Sequence, residues 1–253
     1  TARRITARGN AVPTFFAKIL GWDVVDIQAT ATAEVQPASA AACLKPWAIP
    51  DAFDDLTAPI GEFNPGDYYE PGVTSWGSTY RGSNADFGVQ LTLKEGAPGD
   101  AIAPGQYFPI DLPMPSGPAS GGANYRANIA NCNTTIVTVG DELATETGNM
   151  VGPTKQGIED LIALDPAAHW DSTLGIVDSV FPPGGSPRIG HVPMFDPSNP
   201  PTSGKQKVEV TNIAGFFIEG IAGNGRVTGR LMPASGTGPA IPGTLLNTVR
   251  LVR

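Results

Sequence analysis

Between Val25 and Val35 apolar and polar residues alternate without a break. Val25, Ile27, Ala29, Ala31, Ala33 and Val35 fall on one side, and Asp26, Gln28, Thr30, Thr32 and Glu34 on the other. Period two sustained over this length predicts a half-buried strand. Its alanine-rich face predicts a neighbour that comes close. Just ahead, PTFFAKILG at 13–21 puts Phe15, Phe16, Ile19 and Leu20 on one helical face, with Thr14 as cap and Gly21 as terminator, so a short helix is expected over 14–20. Arg3–Arg8 reads as the end of an earlier strand.

From Pro37 to about Gly105 the periodicity fades into turn chemistry such as NPGDYYEPG and KEGAPGD. Two strands interrupt it. Phe87, Val89, Leu91 and Leu93 alternate with polar or small residues. Phe108, Ile110 and Leu112 share a face within Tyr107–Leu112, where Pro109 predicts a sheet edge or bulge. MPSGPASGGAN reads as a flexible loop, and Thr134–Val139 as a short strand. The best helix is Thr154–Leu164, with Ile158, Leu161 and Ile162 at helical spacing, Thr154 as cap and Pro166 as stop. Further strands are expected over Arg188–Phe195, Lys207–Ile221, Arg226–Met232 and Thr248–Arg253. Phe216, Phe217 and Ile218 run together as in a strand buried on both faces. Asn224-Gly225 predicts a hairpin turn. The fold expected is mainly β (α+β): an antiparallel sheet or sandwich built from both chain ends, with two short helices. Residues 1–253 read as one domain, and 37–205 as a loop-rich insertion within it.

Composition narrows the class. Among 253 residues there are 31 Gly and 25 Pro, and 16% are charged, which fits a folded chain with many turns and little long helix. The net charge of −8, with 16 basic residues, argues against nucleic acid and against a polybasic membrane patch. No apolar run is long enough to span a bilayer as a helix. Thr1 is not a start residue, so any localisation signal or membrane anchor is expected upstream. Cys43 and Cys132 stand 89 positions apart without a C-x-x-C, leaving a disulfide or two buried thiols. One long-range staple suits an exported protein.

Catalytic chemistry finds no support. His169 and His191 are far apart, no G-x-S-x-G or Walker A occurs, and Gly223, Gly225 and Gly229 miss the dinucleotide spacing. No catalytic residue, cofactor or metal site is therefore expected. Asp51, Asp54, Asp55, Glu62, Asp67 and Glu70 crowd one loop, followed by Tyr68, Tyr69, Trp76 and Tyr80. Calcium or a glycan at 51–80 is the alternative function, although the spacing matches no calcium-loop pattern. Asn133-Thr134-Thr135 is a formal glycosylation sequon, which in a bacterial protein would mean little.

Several stretches together resemble one family. VPTFFAKILGW with the Ala/Thr strand that follows, CLKPWAIPD at 43–51, GNMVGPTKQGIEDLIALDPAAHWD at 148–171, SPRIGHVPMFDP at 186–197 and VEVTNIAGFFIEGIAGNGRVTGRLMP at 208–233 are similar, in the same order, to the large TadG-like members of the Flp pilus-assembly TadE/G-like proteins. The resemblance implies a non-enzymatic, extracytoplasmic protein of the bacterial envelope or surface. It would act in tight-adherence pilus assembly through protein partners, copies of itself included. Such proteins usually begin with a hydrophobic membrane segment, which this sequence does not show. Phe15 and Phe16 are the candidate interaction residues.

Overall fold

The computed structural model describes residues 2–13, 24–51, 53–54, 68–69, 87–88, 90–95, 106–117, 120–148, 150–196, 199–241 and 244–252. In chain order the strands are β1 (Ala2–Pro13), β2 (Val24–Ala38), β3 (Ala40–Ala41), β4 (Trp47–Pro50), β5 (Phe53–Asp54), β6 (Tyr68–Tyr69), β7 (Gln90–Glu95), β8 (Gln106–Pro109), β9 (Val137–Thr138), β10 (Glu142–Ala144), β11 (His169–Asp171), β12 (Ile176–Asp178), β13 (Ile189–Phe195), β14 (Lys207–Glu209), β15 (Asn212–Ala222), β16 (Arg226–Met232), β17 (Ala234–Ser235) and β18 (Leu246–Val252). Two α-helices, α1 (Gly121–Ala130) and α2 (Val151–Leu164), complete the described elements. The protein is mainly β with minor helix.

Two compact units divide the chain: residues 1–36 with 248–253, and residues 37–247. In the first, β1 and β2 pair antiparallel from Ala2↔Glu34 to Pro13↔Val24, with a register shift between Gly9 and Val12. The strand order is β1-β2-β18, so the two chain ends share a sheet as their alternation predicts. The strands over 208–218 and 226–232, equally strong in the sequence, belong to the second unit.

That unit is built on a closed six-stranded barrel in the order β13-β15-β16-β7-β8-β4. Four of its pairings are antiparallel. β7 with β8, and β4 with β13, are parallel and close the ring. Every strand contributes to one interior cluster, including Trp47, Leu93, Tyr107, Val192, Phe216 and Val227. Each such large side chain removed from water stabilises the fold by about 1.5–3 kcal/mol. The consecutive apolar run resolves as expected: Phe216 and Ile218 face the interior, while Phe217 packs outside with Ala168 and Val177. β15 and β16 are joined through Gly223–Gly225, where Gly225 has φ +71°. Gly229 faces Ile218 across the ladder, and a Cβ there would lie 2.4 Å from the Phe216 ring and the Phe217 carbonyl, so no side chain fits.

α1 is a correction. Its first residues were expected in a flexible loop, yet Gly121–Ala130 is helical and buries Asn124, Tyr125, Asn128 and Ile129. Tyr125 and Ile129 join the barrel interior, and the Asn124 and Asn128 amides donate to the Leu112 carbonyl. α2 starts at Val151, before the expected cap at Thr154. Pro153 sits in its first turn, where a missing N–H costs nothing. The Thr154 hydroxyl instead turns inward, 3.3 Å from the Tyr125 hydroxyl. Pro109 ends β8 inside the barrel, opposite Trp47, rather than at a sheet edge. The helix expected over 14–20 lies outside the described residues.

Candidate interaction surfaces

On the apolar face of β2, Ala31 is exposed, Ala33 half-buried and Val35 49% exposed, while Val24, on the opposite face, is 54% exposed. Val249 on β18 is exposed as well. Among the described residues β1 is the outer strand of its sheet, with β2 as its only neighbour. An outer strand presents a row of backbone donors and acceptors to whatever adjoins it.

A second exposed apolar surface lies at 164–181 in the other unit. Leu164 ends α2, Leu174 and Ile176 belong to the β11–β12 hairpin, and Val180 and Phe181 follow it; Val180 is 81% exposed. With the ribbon valines these are eight of the nine large exposed apolar residues described, Ile136 being the ninth. Hydrogen bonds tie this segment to the barrel. Asp165, just after α2, accepts hydrogen bonds from Ser179 (2.5 Å) and Ser186 (2.7 Å). Buried Arg188 donates to the carbonyls of Asp165 (3.1 Å), Ala168 (2.9 Å), Ile218 (3.0 Å) and Glu219 (2.7 Å). It also stacks 5.2 Å from the Phe217 ring centroid, and so ties the hairpin's base to the barrel.

The residues singled out in the sequence fall as follows. Cys43 and Cys132 form a disulfide. Around it Cys43 takes φ +56°, a strained value for a residue with a Cβ, held by bonds from its N–H to Asn133 and from the His191 N–H to its carbonyl. Two residues on, Lys45 is buried and donates to the Ile129 carbonyl at 2.7 Å, and burial lowers its pKa to about 8. The His191 ring meets the Ala42 carbonyl at 2.7 Å, and burial again depresses its pKa. His169 is exposed, its ring 3.1 Å from the Ala167 carbonyl. Asn133 of the sequon is buried and donates to Asn128 (2.8 Å), so it cannot carry a glycan in the folded chain. Phe15, Phe16, Asp55, Glu62, Asp67, Glu70, Trp76 and Tyr80 lie outside the described residues. For Asp54, Tyr68 and Tyr69 the described feature is backbone: β5 pairs with β6 through Asp54↔Tyr68 and Phe53↔Tyr69.

Two polar groupings were not legible in advance. Asp51 follows β4 and is 3% exposed. The Thr211 hydroxyl donates to its Oδ2 at 2.7 Å, while Oδ1 has no hydrogen-bond partner. Burial pushes its pKa up to about 7; the Thr211 hydrogen bond opposes this and the charge of Asp196 adds to it. A cavity of about 290 Å³ beside Thr211 is lined by Asp196, Asn199 and Glu209 among others. In the barrel interior, Tyr125 accepts from the Trp47 indole (2.8 Å), and burial raises both its pKa and that of Tyr107. Glu95 nearby accepts from the Met150 N–H, and burial raises its pKa too. No set of three or more His, Cys, Asp or Glu side chains among the described residues is arranged to hold a metal ion, and no described helix is long and apolar enough to cross a membrane.

Set against protein-family models, curated proteins and solved structures, the chain matches none of them.

Proposed function

We propose that this protein is a non-enzymatic structural or assembly component of a bacterial Tad/Flp-type pilus or related cell-surface structure, acting by protein–protein contacts. The observation that carries the reading is the outer strand β1, which among the described residues has β2 as its only neighbour and so presents a row of backbone donors and acceptors to an adjoining chain. The disulfide supports an extracytoplasmic location, since such bonds persist in oxidising compartments. The test is made in the native host. A strain lacking the chain is scored for surface filaments by electron microscopy, then complemented with wild type or with Phe16→Asp. Loss of filaments, restored by wild type alone, supports the reading and brings Phe16 into the contact. Unchanged filaments in the deletion strain overturn it.

A second reading, a calcium or glycan site over 51–80, is favoured by one observation: Asp51, at the start of that segment, keeps a buried carboxylate oxygen without a partner. Calorimetric titration with calcium decides it. Heat of binding that vanishes in Asp51→Asn supports a site there, and no heat removes it.

A further inference from the structure

The two halves of the Cys43–Cys132 disulfide sit in unlike surroundings. Cys132 follows α1 and is exposed, as are Asn131, Thr134, Thr135 and Ile136 around it. Cys43 is half-buried, and among the described residues it is the only one other than glycine with a positive φ. Its N–H donates to the Asn133 carbonyl at 2.7 Å, and its carbonyl accepts from the His191 N–H at 3.2 Å. Cys43 is thus fastened to the barrel strand β13, while Cys132 stands on an exposed turn. A disulfide opens when a thiolate attacks one sulfur and expels the other, so access decides which sulfur is attacked. Here the accessible half is Cys132, and Cys43 is the half to be expelled.

A cavity of about 460 Å³ adjoins both halves. Leu44, next to Cys43, and Asn133, next to Cys132, line it together with Leu112, Ile136, Val137 and Leu143. Of the acidic residues on its wall, Asp111 and Glu142 are paired with Lys205 at 2.8 Å and Lys207 at 2.7 Å, and Asp141 accepts from the Thr138 N–H. An incoming thiolate therefore meets little uncompensated negative charge.

We propose that Cys43–Cys132 is an exchange site for a dithiol, of the kind a thiol–disulfide oxidoreductase carries, with Cys132 as the attacked sulfur. The first thiolate of the dithiol bonds to Cys132 Sγ as the Cys43–Cys132 bond breaks. The electron pair of that bond leaves with Cys43 as a thiolate, which takes a proton from water. The second thiolate of the dithiol then attacks the first sulfur, so that the dithiol departs as a disulfide and Cys132 leaves as a thiolate and is protonated in turn. Two electrons pass to this chain, which ends with two thiols. The bond from Cys43 to Asn133 and that from the Lys45 ammonium to the Ile129 carbonyl, 2.7 Å long, keep the two cysteines together after reduction, so reoxidation restores the same pair.

The test uses dithiothreitol on the folded chain. Samples are quenched in acid, alkylated and weighed by mass spectrometry, with circular dichroism following the fold. The disulfide is expected to open while the chain stays folded, at a rate that changes by less than about twofold between water and about 1 M urea, whereas a reaction through the unfolded chain would speed up about tenfold or more. A rate that climbs with urea in this way overturns the proposal. Brief exposure to glutathione, quenched in acid, should leave the mixed disulfide on Cys132; an adduct on Cys43 overturns the assignment of the attacked sulfur. Removal of dithiothreitol in air should restore the disulfide and the original thermal midpoint, and a chain that does not re-form the pair contradicts a reversible site.

Discussion

Removing the ionisable group at Asp51 should change how stability depends on pH. An unperturbed aspartate titrates near 3.8, and Asp51 in the fold near 7. The folded state thus holds this proton more tightly than the unfolded chain does. The stability so gained is fully present below pH 3.8, falls steadily as the pH rises, and is gone above about 7. The full separation corresponds to about 4 kcal/mol, and about 2 kcal/mol of it falls between pH 5 and pH 7. Asp51→Asn keeps an oxygen to accept the Thr211 hydroxyl but cannot ionise, so its curve lacks this slope while other titrations remain common to both proteins. The assay is urea unfolding of both proteins at half-unit steps from about pH 4 to about pH 8. Relative to Asp51→Asn, the wild type should lose roughly 2 kcal/mol on going from pH 5 to pH 7. Parallel curves would refute the reasoning, because they would mean the carboxylate is hydrated or paired in the folded state.

Three further perturbations test the frame. Arg188→Met removes the guanidinium that donates to four backbone carbonyls, of which that of Asp165 keeps the Ala168 N–H, and should cost about 3 kcal/mol in denaturant unfolding; a loss under about 1 kcal/mol would show the guanidinium to be dispensable. Gly229→Ala drives a methyl into the Phe216 ring and should cost about 3 kcal/mol, whereas Gly220→Ala, with its nearest atom at 3.4 Å, should cost well under half as much. Cys43→Ser/Cys132→Ser opens the long loop and should lower stability by about 4 kcal/mol in the chain-entropy account, read as a fall in thermal midpoint that reductant reproduces in the wild type.

Local pattern made some of this architecture legible. The alternation of β2, the Phe216–Ile218 run, the Asn224-Gly225 turn and the apolar spacing of α2 each carry their own signal, and each forms close to where it was expected. α1 carried none. The helix opens on two glycines and buries Asn124 and Asn128 beside Tyr125 and Ile129, so its inner face is half polar and no apolar period appears. Barrel closure depends on the parallel pairs β4 with β13 and β7 with β8. The first joins residues far apart in sequence, and backbone pairing of this kind leaves no mark on composition. The burial of Lys45 and Asp51 ran against the usual exposure of charged residues. Both flank β4, whose flanking prolines and turn residues suggested a loop.

The central claim is that this chain works by protein contacts in a bacterial surface assembly, and a strain lacking it reads that claim most directly. Surface filaments counted by electron microscopy should be lost without the chain and restored when the wild type is supplied. Filaments that persist unchanged in the deletion strain would contradict the account.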